Sequence, residues 1–193
     1  MDKLRAFALA LTALMSAGYA QAETDLAIDA SSFKCVTDMS PVRGFYVDNL
    51  IPGKLEDTLA VANAENGDYP PGSVVSLIPT EVMIKHPKGY NAATRDWEFF
   101  ELDVSEQGTS IRNRGFVDVN NRFGGNCFAC HAQAKPQYDM ICEQSHGCAP
   151  ISITSEMTRL LQKTDPRCGT EFTPTEHEAK ILEKLQALFD KHP

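Results

Sequence analysis

Cys127-Phe128-Ala129-Cys130-His131 constrains this chain more than any other segment. Two thiols three positions apart, followed at once by an imidazole, is the spacing for covalent attachment of a c-type haem. Each thiol adds across one vinyl group of the porphyrin, and the adjacent histidine is held close enough to give a ring nitrogen to the iron. The sequence therefore assigns Cys127 and Cys130 as cofactor-binding residues and His131 as the proximal iron ligand. The motif occurs once, so one covalent haem c is expected. No catalytic side chain is assigned by the sequence.

Thioether attachment belongs to oxidising compartments, and residues 1–22 read as the route to one. Lys3 and Arg5 form a positive start, Ala6 to Ala17 is apolar, and Ala20-Gln21-Ala22 is a small-x-small cleavage site. The apolar run is shorter than the roughly 20 residues that span a bilayer. A cleaved secretory signal and a periplasmic mature chain without a membrane span are expected. Removing 1–22, which carry Lys3, Arg5 and Asp2, leaves 16 basic and 25 acidic side chains, a formal charge of −9. That balance argues against nucleic acid as a partner and suits a basic redox partner protein. Length and the absence of repeats point to one haem-binding domain over residues 23–193.

Six cysteines are present: Cys35, Cys127, Cys130, Cys142, Cys148 and Cys168. With two committed to haem, four remain, and four allow three pairings. The preferred one is Cys142–Cys148, closing a short loop, with Cys35–Cys168 joining the two ends of the domain. Local closure costs little entropy, and the long clamp restricts the unfolded chain most. The rival use is zinc, since Cys127, Cys130, His131, Cys142, His146 and Cys148 fall close together. Such a site is uncommon in exported proteins, so a disulfide-stapled zinc or structural module without haem is kept as an alternative.

Ahead of the motif the pattern is β-rich. Residues 23 to about 40 form an irregular or helical lead-in. Gly44 to Val47, Val74 to Ile78 and Glu81 to Lys85 are strand candidates, the last alternating outward and inward, and Asp57 to Ala64 is a brief helix. Asp96 to Val104 has a period of two, with charges punctuating Trp97, Phe99 and Phe100. Glu106-Gln107-Gly108 turns it into Thr109 to Arg114, a hairpin with a longer loop. Gly124-Gly125 lets the backbone pass closely by the macrocycle. After the motif, Thr154 caps a helix with Met157, Leu160 and Leu161 on one face. Thr173-Pro174-Thr175-Glu176 reads as a capping box, before a stripe of Ile181, Leu182, Leu185, Leu188 and Phe189. The fold class is α+β, mainly an antiparallel β-sheet with flanking helices.

Strands first and CxxCH late do not fit the small helical cytochromes c. The arrangement resembles the cytochrome P-460 family, which includes the cytochromes c′-beta. The matching residues are Tyr69-Pro70-Pro71-Gly72-Ser73-Val74-Val75, Val82-Met83-Ile84-Lys85, Gly89 to Phe100, and Cys127 to Lys135, within residues 45 to 140. The resemblance implies an antiparallel sheet with helices, holding one haem c with an open distal position. A six-coordinate iron would favour electron transfer and an open one the binding of a small ligand such as nitric oxide, with hydroxylamine oxidation as the alternative. Members that oxidise hydroxylamine have a lysine joined to the haem edge, expected in a strand shortly after a Gly-Thr/Ser-Val segment. Ser76, Leu77 and Ile78 follow Gly72-Ser73-Val74-Val75 here, without a lysine. Lys85 and Lys54 read as solvated surface residues.

The sixth iron position is left open by the sequence. Met83, Met140 and His146 are the nearest candidates, each also explained as packing or surface. His86, before Pro87, reads as exposed in a turn, and His177 and His192 as solvated. Phe45, Tyr46, Trp97, Phe99, Phe116 and Phe123 are candidates for an aromatic lining. Arg112, Arg114 and Arg122 are candidates for meeting haem propionates or for pairing with acidic neighbours.

Overall fold

Among the described residues each strand pairs with the next one. The structure, a computed structural model, describes residues 26–191, so the expected signal segment 1–22 and His192 lie outside the described residues. Six antiparallel strands run β1 (Ser40–Val42), β2 (Phe45–Asn49), β3 (Ser73–Ile78), β4 (Glu81–Lys85), β5 (Trp97–Ser105) and β6 (Gly108–Gly115). Their order in the sheet is their order in the chain. Helix α1 (Leu55–Ala64) separates β2 from β3, and α2 (Cys127–His131), α3 (Ser155–Lys163) and α4 (Glu176–Phe189) follow the sheet. This is an α+β architecture.

Alternation along the strands divides the sheet into two apolar faces. On one face Val47, Val75, Met83 and Phe99 lie in one row of cross-strand partners. They pack with Trp97, Ala62 of α1, Cys127 of α2, Met140 and Ile141. On the other face Val74, Val82, Ile84, Phe100 and Leu102 pack under the lead-in residues Ile28, Phe33 and Met39. A third cluster joins Ile78 to Ile153, Leu160 of α3, and Ile181 and Leu185 of α4. Among the described residues no helix is long and apolar enough to cross a membrane.

Both sheet faces are covered, which corrects the half-exposed reading of β4 and β5. Four of the five residues of β4 and the first six of β5 are buried, Glu98 and Glu101 among them. Charge failed as a sign of exposure because each carboxylate has basic partners within the sheet. Glu98 accepts from Arg114 Nε at 2.7 Å and Nη2 at 2.9 Å, and from His86 Nε2 at 2.8 Å. His86 is thus buried, not exposed: its ring stacks on Tyr90 with centroids 3.7 Å apart.

Three further differences are local. β1 escaped notice because it is three residues with Pro41 at its centre, tolerated on a sheet edge where one N–H needs no partner. The β5–β6 hairpin is tight, with Ser105 and Gly108 as partners across only Glu106-Gln107, and Gly108 takes φ +124°. The α4 capping box begins at Thr175. Its N–H donates to Glu178 Oε2 at 3.0 Å while Glu178 N–H donates to Thr175 Oγ1 at 3.2 Å. Glu176, the partner in the Thr173 reading, pairs with Lys180 instead. Thr154 does cap α3, accepting from Met157 N–H at 3.2 Å.

Candidate functional site

The segment that delivers the cysteines is held by asparagines. Asn121 Oδ1 accepts the N–H groups of Phe123 and Gly125, both at 3.0 Å, and Gly124 takes φ +88° to complete that turn. Asn126 caps α2 by accepting from Ala129 N–H at 2.9 Å and anchors backward by donating to the Val117 carbonyl at 2.8 Å. Cys127 N–H donates to the Val119 carbonyl at 3.0 Å, seating the helix against a fully buried residue.

Helical geometry then sets the chemistry. Positions 127 and 130 are i, i+3 and positions 127 and 131 are i, i+4, so both thiols and the imidazole rise on neighbouring parts of one helix surface. Cys127 is buried against the Val47–Phe99 face, and Cys130 is half-buried. Burial pushes the Cys127 thiol up to about 12, with Glu81 and Glu101 acting in the same direction. It also raises Cys130. Among the described residues these are the two cysteines with free thiols.

His131 is oriented by a single bond. Its Nδ1 lies 2.7 Å from the Met140 carbonyl oxygen. A carbonyl only accepts, so Nδ1 carries the proton and the neutral ring keeps its lone pair on Nε2. Burial pushes the imidazole below its usual range, which favours that neutral form; the Met140 carbonyl acts the other way. Phe99 flanks the ring with centroids 5.3 Å apart, and Phe128 packs against Phe99 and Phe116. The donor set fits a covalently held haem c: two unpaired thiols, and one imidazole whose Nε2 keeps the lone pair that a metal would take.

The Met140 carbonyl is itself fixed from beneath. Asp139, with no exposed side-chain surface, accepts from Lys85 Nζ at 2.9 and 2.8 Å and from Tyr69 N–H at 2.8 Å. Trp97 Nε1 donates to the Asp139 carbonyl at 2.8 Å. Lys85 also donates to the Arg95 carbonyl and lies over the Trp97 ring. Lys85 is therefore a buried ion-pair partner, which corrects its reading as a surface residue. Strand β4 turns its position 85 to the same face as Met83, where Asp139 supplies the compensating charge. Lys54 is exposed and pairs with Asp57. Sequence reasoning missed Asp139 altogether; no spacing links residues 54 positions apart.

Disulfides Cys142–Cys148 and Cys35–Cys168 are both present. The short loop between the first pair folds back on the motif. His146 O accepts from Lys135 N–H at 2.8 Å, and a Cβ on Gly147, which has φ +109°, would meet the Gln133 carbonyl at 2.9 Å. His146 is buried, stacked on Tyr138 with centroids 3.6 Å apart, and its Nδ1 donates to the Ile141 carbonyl at 2.8 Å. Successive carbonyls, those of Met140 and Ile141, thus each hold an imidazole. The Cys142–Cys148 bond also removes two thiols from any cluster with Cys127 and Cys130.

Of the aromatic candidates, Phe45, Trp97, Phe99 and Phe116 share the apolar cluster with Cys127. Tyr46 packs on the opposite face and Phe123 packs against Phe189. Met83 and Met140 are buried in the Cys127 cluster. Arg112 and Arg122 both pair with Asp103, and Arg114 pairs with Glu98, so all three arginines have acidic partners. His177 is exposed and pairs with Glu156. Comparison with known proteins finds no matching family model, no matching curated protein and no matching solved structure.

Proposed function

We propose that this chain is an exported monohaem c-type cytochrome of the cytochrome P-460 type, acting in electron transfer or in binding a small ligand such as nitric oxide. One observation carries the reading. In a chain whose other four cysteines are joined in pairs, Cys127 and Cys130 are left free on the helix surface that also presents His131. The sequential antiparallel sheet with helices is what the P-460 resemblance implies, and it supports that assignment.

Cys127 and Cys130 would hold the group by thioether bonds, and His131 Nε2 would be the proximal ligand. A haem c held there supplies a one-electron iron couple and an axial position for a small molecule. The chain's own residues do the rest. Phe99, Phe116 and Phe128 give the motif an apolar surround, and the Met140 carbonyl holds His131 in one tautomer. The acidic surface suits a basic redox partner and a periplasmic setting.

Two other readings draw less support. Hydroxylamine oxidation by a lysine-linked haem finds no free amine at Lys85 or Lys54, since both are engaged by aspartates. A zinc module would have to dispense with Cys142 and Cys148. The deciding experiment is intact mass and the pyridine haemochrome spectrum of exported protein, followed by carbon monoxide or nitric oxide titration of the ferrous form. One haem per chain is expected. The mass of the bare polypeptide would overturn the proposal.

A further inference from the structure

Asp139 and Met140 are consecutive non-glycine residues in the left-handed region, with φ +47° and +67°. Each such residue costs about 1–2 kcal/mol and persists only where its surroundings hold it there. Here the hold is specific. Asp139 is fastened at its carboxylate by Lys85 and Tyr69 N–H and at its carbonyl by Trp97 Nε1. Ile141 N–H donates to the Tyr138 carbonyl at 2.8 Å, and the disulfide at Cys142 follows one residue later. The polar group this strained pair turns to the motif is the Met140 carbonyl, 2.7 Å from His131 Nδ1.

We infer that Lys85 and Asp139 are positioning residues for the His131 ligand: their buried ion pair locks the left-handed turn that aims the Met140 carbonyl at Nδ1, and so governs how strongly Nε2 donates. The inference rests on the haem reading of the site. A hydrogen bond from Nδ1–H to a fixed acceptor raises the basicity of the opposite nitrogen. A more basic Nε2 favours the ferric over the ferrous state. Without the lock, residues 139 and 140 relax toward ordinary backbone regions, the carbonyl turns away, and the ferrous state gains.

The test is the reduction potential of purified haem-bound protein carrying Lys85→Met, with Lys85→Arg as the conservative rescue. Arg95, 3.2 Å from Asp139, remains to compensate the carboxylate in both. Lys85→Met is expected to shift the ferric–ferrous equilibrium at least threefold toward ferrous, where tenfold corresponds to about 59 mV for one electron. Lys85→Arg is expected to restore most of it. Should Lys85→Met fail to fold, Trp97→Phe removes the bond to the Asp139 carbonyl and is read in the same way. The 15N and 1H shifts of the His131 Nδ1–H in the diamagnetic ferrous carbon monoxide form give a second readout: the proton bonded to the Met140 carbonyl resonates downfield in the parent protein and moves upfield in Lys85→Met. Folded, haem-loaded variants with an unmoved equilibrium and an unmoved Nδ1–H resonance overturn this inference alone. A parent protein without haem overturns the proposed function instead, and the same Nδ1–H resonance read on the haem-free chain still decides the positioning role.

Discussion

Glu81 on β4 and Glu101 on β5 stand opposite each other in the ladder, two carboxylates on the sheet face that receives Cys127. Burial pushes the Glu81 carboxyl up to about 8, opposed by the Arg122 N–H and reinforced by the Glu101 charge. The folded protein therefore keeps a proton that the unfolded chain releases near 4.5. Its contribution to stability is whole below that value, declines as pH rises to about 8, and is level above. Glu81→Gln is expected to remove this decline and to be more stable than the parent by about 2 kcal/mol at pH 8.5. Urea midpoints at pH 5 and 8.5 measure it; parallel pH profiles for the two proteins would refute the assignment.

Asp165 makes the opposite case. Its side chain is fully enclosed, accepting from Val36 N–H at 2.8 Å and pairing with Arg167 at 2.7 Å. Burial acts upward, yet Arg167 and the backbone donors hold the carboxyl below its usual range. Stability from this group is present above the unfolded value of 3.8 and is lost as pH falls through the lower folded value. Asp165→Asn is expected to cost about 3 kcal/mol at pH 7 by stranding Arg167. The deficit should narrow below pH 3; a constant one would show that charge is not its source.

The two disulfides differ in what they constrain. Cys35–Cys168 spans 133 positions and Cys142–Cys148 spans 6. Loop-closure entropy gives about 5 kcal/mol for the first and about 2 kcal/mol for the second. Cys35→Ala/Cys168→Ala should lower the unfolding free energy more than Cys142→Ala/Cys148→Ala in the same denaturant series. The reverse ranking would mean that native packing around the short loop outweighs chain entropy.

Thr175→Ala opens the reciprocal cap of α4 at an exposed site. Loss of about 1 kcal/mol is expected, a drop in Tm of about 2–4 °C for a domain of this size. Because the cap bonds join only Thr175 and Glu178, the haem content that the proposed function requires should be unchanged. Calorimetry and, for haem-loaded protein, haemochrome absorbance together report both.

β4 and β5 were legible from period two and β3 from a continuous apolar run, while β1 was not; both helices after the motif declared themselves through an apolar stripe, with the cap of α3 found at Thr154 and that of α4 placed two residues early. Of the three cysteine pairings the sequence allows, the one preferred from loop length is the one present. What sequence concealed was charge burial. Glu98, Glu101, Lys85 and His86 looked like surface residues because their partners Arg114, Arg122 and Asp139 are supplied by other elements. Met140 was weighed for its sulfur, whereas its backbone oxygen is what meets His131; no one-dimensional pattern announces a carbonyl.

Neighbours in this sheet are neighbours in the chain, so each ladder can close as soon as its second strand exists. The six-stranded ladder is complete by residue 115, and Val119, Met140 and Ile141 join it in the cluster that buries Cys127. Helix α2 follows that ladder in the chain, and the bond between Cys35 and Cys168 ties the lead-in before β1 to the segment after α3. Support for the two thiols thus comes largely from short-range pairings, while α3 and α4 pack with Ile78 in a separate apolar cluster.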